Sequence, residues 1–231
     1  MRLWLRTSDM SDPHLPRPDS PDLRPAPGHD VDRVLLLGNG VTVGYGVLSH
    51  DLSLAGHLGR QLTRTTGRST HVHVEADGAM TAHTALDVVR SVDLDHFDGI
   101  VVTVGINEVL ALASIRRWER DIDQLVAYIL SPAAPVLQTF LVGVPRLRSV
   151  ATMPESVAWL TDRHAGRLNA ILRKACESHD RVTFVPFDPD RGEDTGGYRS
   201  TEVYRAWAAL IVEPIAAGLS SDRPLIDELG N

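Results

Sequence analysis

The chain has a single cysteine, Cys176, in 231 residues. One thiol excludes an intramolecular disulfide framework and a cysteine-based zinc cluster, and on an apolar helical face it reads as a packing residue. No apolar run approaches the roughly 18 residues of a membrane span. The opening Met1-Arg-Leu-Trp-Leu-Arg6 is broken by charge before a secretory core forms, so a cytoplasmic location is the expectation. Lys174 is the only lysine, a bias that reads as coding rather than chemistry. A basic excess is also missing: 23 Lys and Arg face 30 Asp and Glu, for a net charge of −7. That balance argues against nucleic acid and anionic membrane as partners. Histidine is absent after His179.

What is present is an ordinary globular composition, 43% hydrophobic and 23% charged. The length suits one large domain or two small ones, at roughly 150 residues per domain, and can bury a sizeable core. Residues 1–32 differ from the rest. Six of the 14 prolines lie between Pro13 and Pro27, and the apolar residues there follow neither helical nor strand period. Such a segment buries too little surface to offset its ordering entropy. It is expected to be a Pro-rich, flexible tail, with a protein partner as its alternative use and Trp4 as a packing contact. Residues 33–231 then form a single domain.

From Arg33 onward the pattern is regular. Val34–Leu37, Ile100–Val104, Leu137–Val142 and Val182–Val185 are short apolar runs, as in strands buried on both faces. His71-Val-His-Val-Glu75 alternates polar and apolar residues and suits an edge strand. Helical spacing places Leu48, Leu52, Ala55, Leu58 and Leu62 on one face, and Ile115, Trp118, Ile122, Leu125 and Ile129 on another. A long helix runs through Val157, Leu160, His164, Leu168, Ile171 and Ala175. A last one carries Val203, Trp207, Leu210 and Ile211, capped by Thr201 and disturbed by Pro214. Alternating strands and helices imply βαβ units. Five of each predict an α/β, three-layer, flavodoxin-like fold with a parallel sheet in the order 2-1-3-4-5. The functional crevice of such a sheet lies beyond the carboxyl ends of its strands.

The loops at those ends carry the chemistry. They are Gly38-Asn-Gly-Val-Thr-Val-Gly-Tyr-Gly46 after strand one, Ala76-Asp-Gly-Ala-Met-Thr81 after strand two, and Gly105-Ile-Asn-Glu108 after strand three. Asp188-Pro-Asp-Arg-Gly-Glu-Asp-Thr-Gly-Gly-Tyr198 follows strand five and leads into the last helix. In this order and at these positions they resemble the four blocks of the SGNH, or GDSL-type, hydrolases, over about residues 33–218. The resemblance implies a site for acyl esters, often of lipids or decorated carbohydrates, and no cofactor. It implies three oxyanion donors: the Gly40 N–H, the Gly78 N–H and the Asn107 side-chain amide. The reactive half departs from the family. Gly40 stands where the family has its serine nucleophile, and Asn39 where it has the preceding aspartate. Aligning Tyr204–Ala208 with the family's last helix puts Tyr198 at the general-base histidine. Asp194 is then the nearest candidate for the acid, and Asp190 the next.

A hydroxyl is a weak nucleophile until a base takes its proton. Thr42 and Ser49 are the hydroxyls close to Gly40. Of the histidines on the amino half, His50 and His57 are expected on an exposed helix and His71 and His73 on the edge strand. His83 alone has a loop position that could reach the crevice. His164 and His179 belong to the long helix. Asp93-Leu-Asp-His96 gathers possible metal ligands, but it precedes strand three and lies at the wrong end of the sheet. The glycines at 38, 40, 44 and 46 match neither the dinucleotide nor the Walker pattern. The expectation is a catalytically degenerate hydrolase-like domain whose crevice takes a small acyl or carbohydrate ligand, or a carboxylate. The alternatives are an active ester hydrolase or acyltransferase with a substitute nucleophile or base, and an interaction domain whose crevice is unused.

Overall fold

A computed structural model describes residue 18 and residues 31–131, 137–149, 153–189 and 200–221. Five strands form one parallel sheet in the order 2-1-3-4-5: β1 (Val31–Gly38), β2 (Ser69–Ala76), β3 (Gly99–Thr103), β4 (Gln138–Val142) and β5 (Val182–Val185). The predicted order holds because the apolar runs of β1, β3 and β4 are buried on both faces, as helices on each side require. Only Val72 of β2 is fully buried, in keeping with its edge position.

Six α-helices are described: α1 (Leu54–Thr66), α2 (Ala82–Ser91), α3 (Ile106–Ala111), α4 (Ile115–Ile129), α5 (Glu155–Glu177) and α6 (Thr201–Ser221). α1 packs on α6 over one face of the sheet, while α4 packs on α2 and α5 over the other. Ser53 caps α1 through the Ala55 N–H, and a left-handed Gly67 ends it. Thr81 and Thr84 form a reciprocal capping box at the start of α2. The buried Trp118 indole of α4 donates to the Leu168 carbonyl of α5 at 3.2 Å, which satisfies its polar edge. Among the described residues, no helix is long and apolar enough to cross a membrane.

Several sequence expectations shift. β1 starts at Val31, two residues ahead of the predicted domain boundary, and its Asp32 is fully buried. Both Asp32 oxygens accept from Arg68 Nε, at 2.9 and 3.0 Å, and Arg68 also donates to the Leu219 carbonyl. The helix predicted from Leu48 begins only at Leu54, because the preceding chain forms turns; Leu48 is 74% exposed. Leu160 and Leu210 face solvent, since Thr161 and Ala208 take the inner positions of their turns. α6 continues through Pro214. The carbonyl that proline leaves without a donor is that of Leu210, on the exposed side, where water can reach it.

Gly38 closes the central seam. Its φ is +153°, and a Cβ there would enter the Thr103 side chain and backbone. Gly38→Ala should therefore lower unfolding stability by about 2–4 kcal/mol, from backbone strain and overpacking together. Denaturant unfolding of the two proteins measures it.

Candidate functional site

Gly38 pairs with Ala76 on one side and Thr103 on the other. The loops after β1, β2 and β3 thus leave the sheet at one level, and Gly40 and Gly78 each lie two residues past a paired position. The first loop is fixed at once. Asn39 N–H donates to the Thr103 carbonyl at 3.3 Å, and residues Gly40–Val43 make one 3-10 turn. Thr42 is fully buried, with its hydroxyl 2.5 Å from that of Thr103. Thr103 gives its own proton to the Leu37 carbonyl, so Thr42 is the donor of the pair.

The second loop is held by amides from both neighbours. Asn39 Nδ2 donates to the Met80 carbonyl at 2.6 Å. Asn107 Nδ2 donates to the same carbonyl at 2.7 Å and to the Gly78 carbonyl at 2.9 Å. The structure thus brings the loops of Gly40, Gly78 and Asn107 together. It differs from the sequence expectation in the use of Asn107: both of its amide protons go to backbone carbonyls, so the side chain braces the loop. The backbone donors differ from it. Among the described residues, neither the Gly40 N–H nor the Gly78 N–H has a protein acceptor.

Space also separates the two glycines. Gly40 has φ +55°, and the nearest atom to a Cβ built on it is Ile106 Cγ1 at 3.7 Å. A Cβ on Gly78 would run into the Tyr45 hydroxyl. Tyr45 is placed from below, where the buried Tyr204 donates its hydroxyl to the Tyr45 carbonyl at 2.8 Å. Tyr204 in turn packs edge-on against Trp207. Tyr45 and its support by Tyr204 lie outside the sequence expectations. A large aromatic between Gly44 and Gly46 in a crevice loop was the available signal.

The substitute bases are held elsewhere. His57 lies half-buried between α1 and α6, not on an exposed face. Arg60 Nη2 can only donate, so the 3.1 Å contact makes His57 Nδ1 an acceptor and puts the ring proton on Nε2. That Nε2–H faces the Thr201 hydroxyl at 2.9 Å, leaving no lone pair to activate it. Burial, then the charges of Arg60 and Arg205, lower the His57 pKa and favour this neutral ring. His83 turns outward, with Nδ1 3.9 Å from Asp121 on α4. His73 contacts Glu75 along the edge strand, and His164 is buried on α5, where desolvation lowers its pKa. His179 lies beyond the end of α5, not within it. Among the described residues, no imidazole is hydrogen-bonded to Ser49 or Thr42. Tyr198, Asp194 and Asp190 lie outside the described residues.

Other groups carry no chemistry here. His96 pairs with Asp93 at the amino end of β3, and no metal-holding group of three His, Cys, Asp or Glu occurs among the described residues. Burial pushes the Cys176 thiol up to about 11, which leaves it un-ionised and unreactive near neutrality.

Asn39 gives the sharpest test of this wiring. An aspartate there would aim a buried carboxylate at the Met80 carbonyl. Asn39→Asp should cost about 3–5 kcal/mol near pH 8, as for an unpaired buried charge. The cost should shrink towards pH 5, where a protonated acid can donate to the same carbonyl. Urea unfolding at both pH values checks magnitude and sign.

Comparison with known proteins agrees with this layout. Residues 36–218 match the GDSL-like lipase/acylhydrolase family. No curated protein sequence matches the chain. Among solved structures, a family two carbohydrate esterase from Cellvibrio japonicus is similar, with TM-score 0.64 and 12% identity. The match covers 85% of this chain but only 64% of that esterase. A lipase from goat rumen metagenome has TM-score 0.61 at 14% identity, covering 80% of this chain and 97% of its own. The structure of TesA gives TM-score 0.60 at 11% identity, covering 80% and 99%. With the family match spanning most of its length and its sheet order and first three loop blocks in place, the chain belongs to the GDSL-like lipase/acylhydrolase family.

Proposed function

We propose that this family member is catalytically degenerate and that its crevice binds, without hydrolysing, a ligand oxygen of an acyl or carbohydrate ester or a carboxylate. The observation that carries this reading is Gly40 at the nucleophile position, with its N–H and that of Gly78 both lacking a protein acceptor among the described residues. Both glycines are part-exposed, so in the free protein water can accept from these donors and a ligand oxygen would take its place. Among the described residues, two of the nearby groups are already engaged, which supports this reading: Thr42 is buried with its proton given to Thr103, and His57 presents a proton to Thr201. Asn39 adds to this. Where the family has an aspartate, this chain has a neutral amide, so an anionic ligand meets no negative charge from that side chain.

Loss of nucleophile and base leaves only about 10³–10⁴-fold over water from the remaining donors and binding. Purified protein should therefore hydrolyse p-nitrophenyl acetate and butyrate at no more than about 10⁴-fold over the uncatalysed reaction, far below the turnover of an intact nucleophile–base pair. Turnover that disappears in Thr42→Val or His83→Ala would instead establish an active hydrolase with a substitute residue. Binding is read separately by titrating acetate and octanoate against the backbone amide resonances. The Gly40 and Gly78 signals should shift together and saturably. If neither moves, the crevice is unused and the domain serves in protein interaction.

A further inference from the structure

The third loop places two polar residues side by side, Asn107 and Glu108, and only the first has a role so far. Glu108 is 7% exposed, although it lies on the six-residue α3. Its Oε1 reaches across to α2 and accepts the Ala82 N–H at 2.6 Å. Ala82 is the first residue of α2. Thr81 already caps the Thr84 N–H, and the first turn of α2 contains no acidic residue of its own. Glu108 therefore supplies from a neighbouring element the acceptor that this helix end lacks. Its Oε2 is buried without a hydrogen-bond partner.

Burying a carboxylate so fully is costly, and an apolar residue of the same length would fill the space at lower cost. What only an acceptor can do here is hold Ala82. Asn107 holds the carbonyls of Gly78 and Met80, and Glu108 holds the amide of Ala82. Two adjacent side chains thus grip alternate residues of one five-residue stretch. We propose that Glu108 is a positioning residue that, with Asn107, holds residues 78–82 against α3 and so sets where the Gly78 N–H faces. What that N–H is for rests on the binding function proposed above; how the stretch is held does not.

The groups facing Glu108 give it a readout of its own. From α4 come the buried Asp121 and the Arg117 and Arg120 that pair with it at 3.4 and 3.5 Å. From α2 comes His83, 3.9 Å from Asp121. Burial, and to a lesser degree the Asp121 charge, raises the Glu108 pKa, while the Ala82 hydrogen bond and Arg117 oppose that rise. A raised folded pKa means that the folded chain keeps a proton that the unfolded chain releases. The associated stability is complete below the ordinary value of 4.5 and is lost as pH rises through the higher folded value.

The experiment compares the full chain with Glu108→Met, which keeps length without an acceptor, and Glu108→Gln, which keeps the acceptor without the charge. Amide hydrogen exchange is read at Asp77, Met80, Ala82 and Ala85, with β1 and β3 amides as the global reference. Glu108→Met should speed exchange at Met80 and Ala82 at least tenfold beyond any change in the strands, and Glu108→Gln should restore it to within a few-fold of the parent. Glu108→Gln should also lack the parent's decline in unfolding stability above about pH 4.5. Should Glu108→Met fail to fold, Glu108→Asp, whose carboxylate is one methylene short of Ala82, carries the same local expectation. Exchange at Met80 and Ala82 that is unchanged in Glu108→Met or Glu108→Asp, or that rises equally in the strands, overturns the proposal. Because no ligand enters the measurement, a negative binding titration leaves this result standing, and the converse also holds.

Discussion

The close contact between Gly38 and Thr103 is the constraint on which the carboxyl edge of this sheet depends. With no side chain at residue 38, β1 and β3 come together at their ends, and the Thr103 carbonyl can receive the Asn39 amide just beyond the seam. From there the Thr103 hydroxyl links the Leu37 carbonyl to the buried Thr42. The first loop is thus attached to the second strand of the seam before it turns. The same pairing fixes the start of the second loop, whose Asp77 N–H returns to the Gly38 carbonyl. The positions of Gly40 and Gly78 follow from loops that have little freedom to rearrange.

The side chains around the first loop bear on what such a rigid crevice can do. A hydrolase needs an oxygen that attacks and a base that can accept its proton. Here the corresponding neighbourhood consists of a glycine, a neutral amide and a threonine whose proton is already placed. The amide does mechanical work that a carboxylate could not do, because its NH2 group grips the Met80 carbonyl. The departure at residue 39 is therefore built into the local hydrogen bonding and is not a vacancy left in an otherwise unchanged site.

Much of the fold was legible in the chain, and the reasons are physical. Strands buried on both faces, such as Val34–Leu37 and Ile100–Thr103, read as continuous apolar runs, and their alternation with helical periods leaves few topologies. Helix starts were harder. Leu48 and Leu52 keep the spacing of α1 but precede the Ser53 cap, and apolar spacing alone does not register where a backbone turns. That the loops of Gly40, Gly78 and Asn107 meet was legible from the strand order, while the choice of those three residues came from the family resemblance. The partners of these residues were not legible. That Asn107 spends its protons on Gly78 and Met80, or that Glu108 reaches the end of another helix, depends on side-chain rotamers and on distances across elements. Neither has a period in sequence.

The pairing of Asp32 with Arg68, and of Arg68 with the Leu219 carbonyl, joins three widely separated parts of the chain at the amino end of the sheet. During synthesis, β1 precedes the other described strands, and its buried carboxylate can be neutralised once β2 follows. The Leu219 carbonyl, however, belongs to the last described turn of α6, and the same helix covers α1. The part of that face and of α1 that α6 covers consequently stays open to solvent until α6 has been made. Nascent chains of this protein would then expose apolar surface late, the interval in which large domains are most prone to aggregate and in which chaperones act.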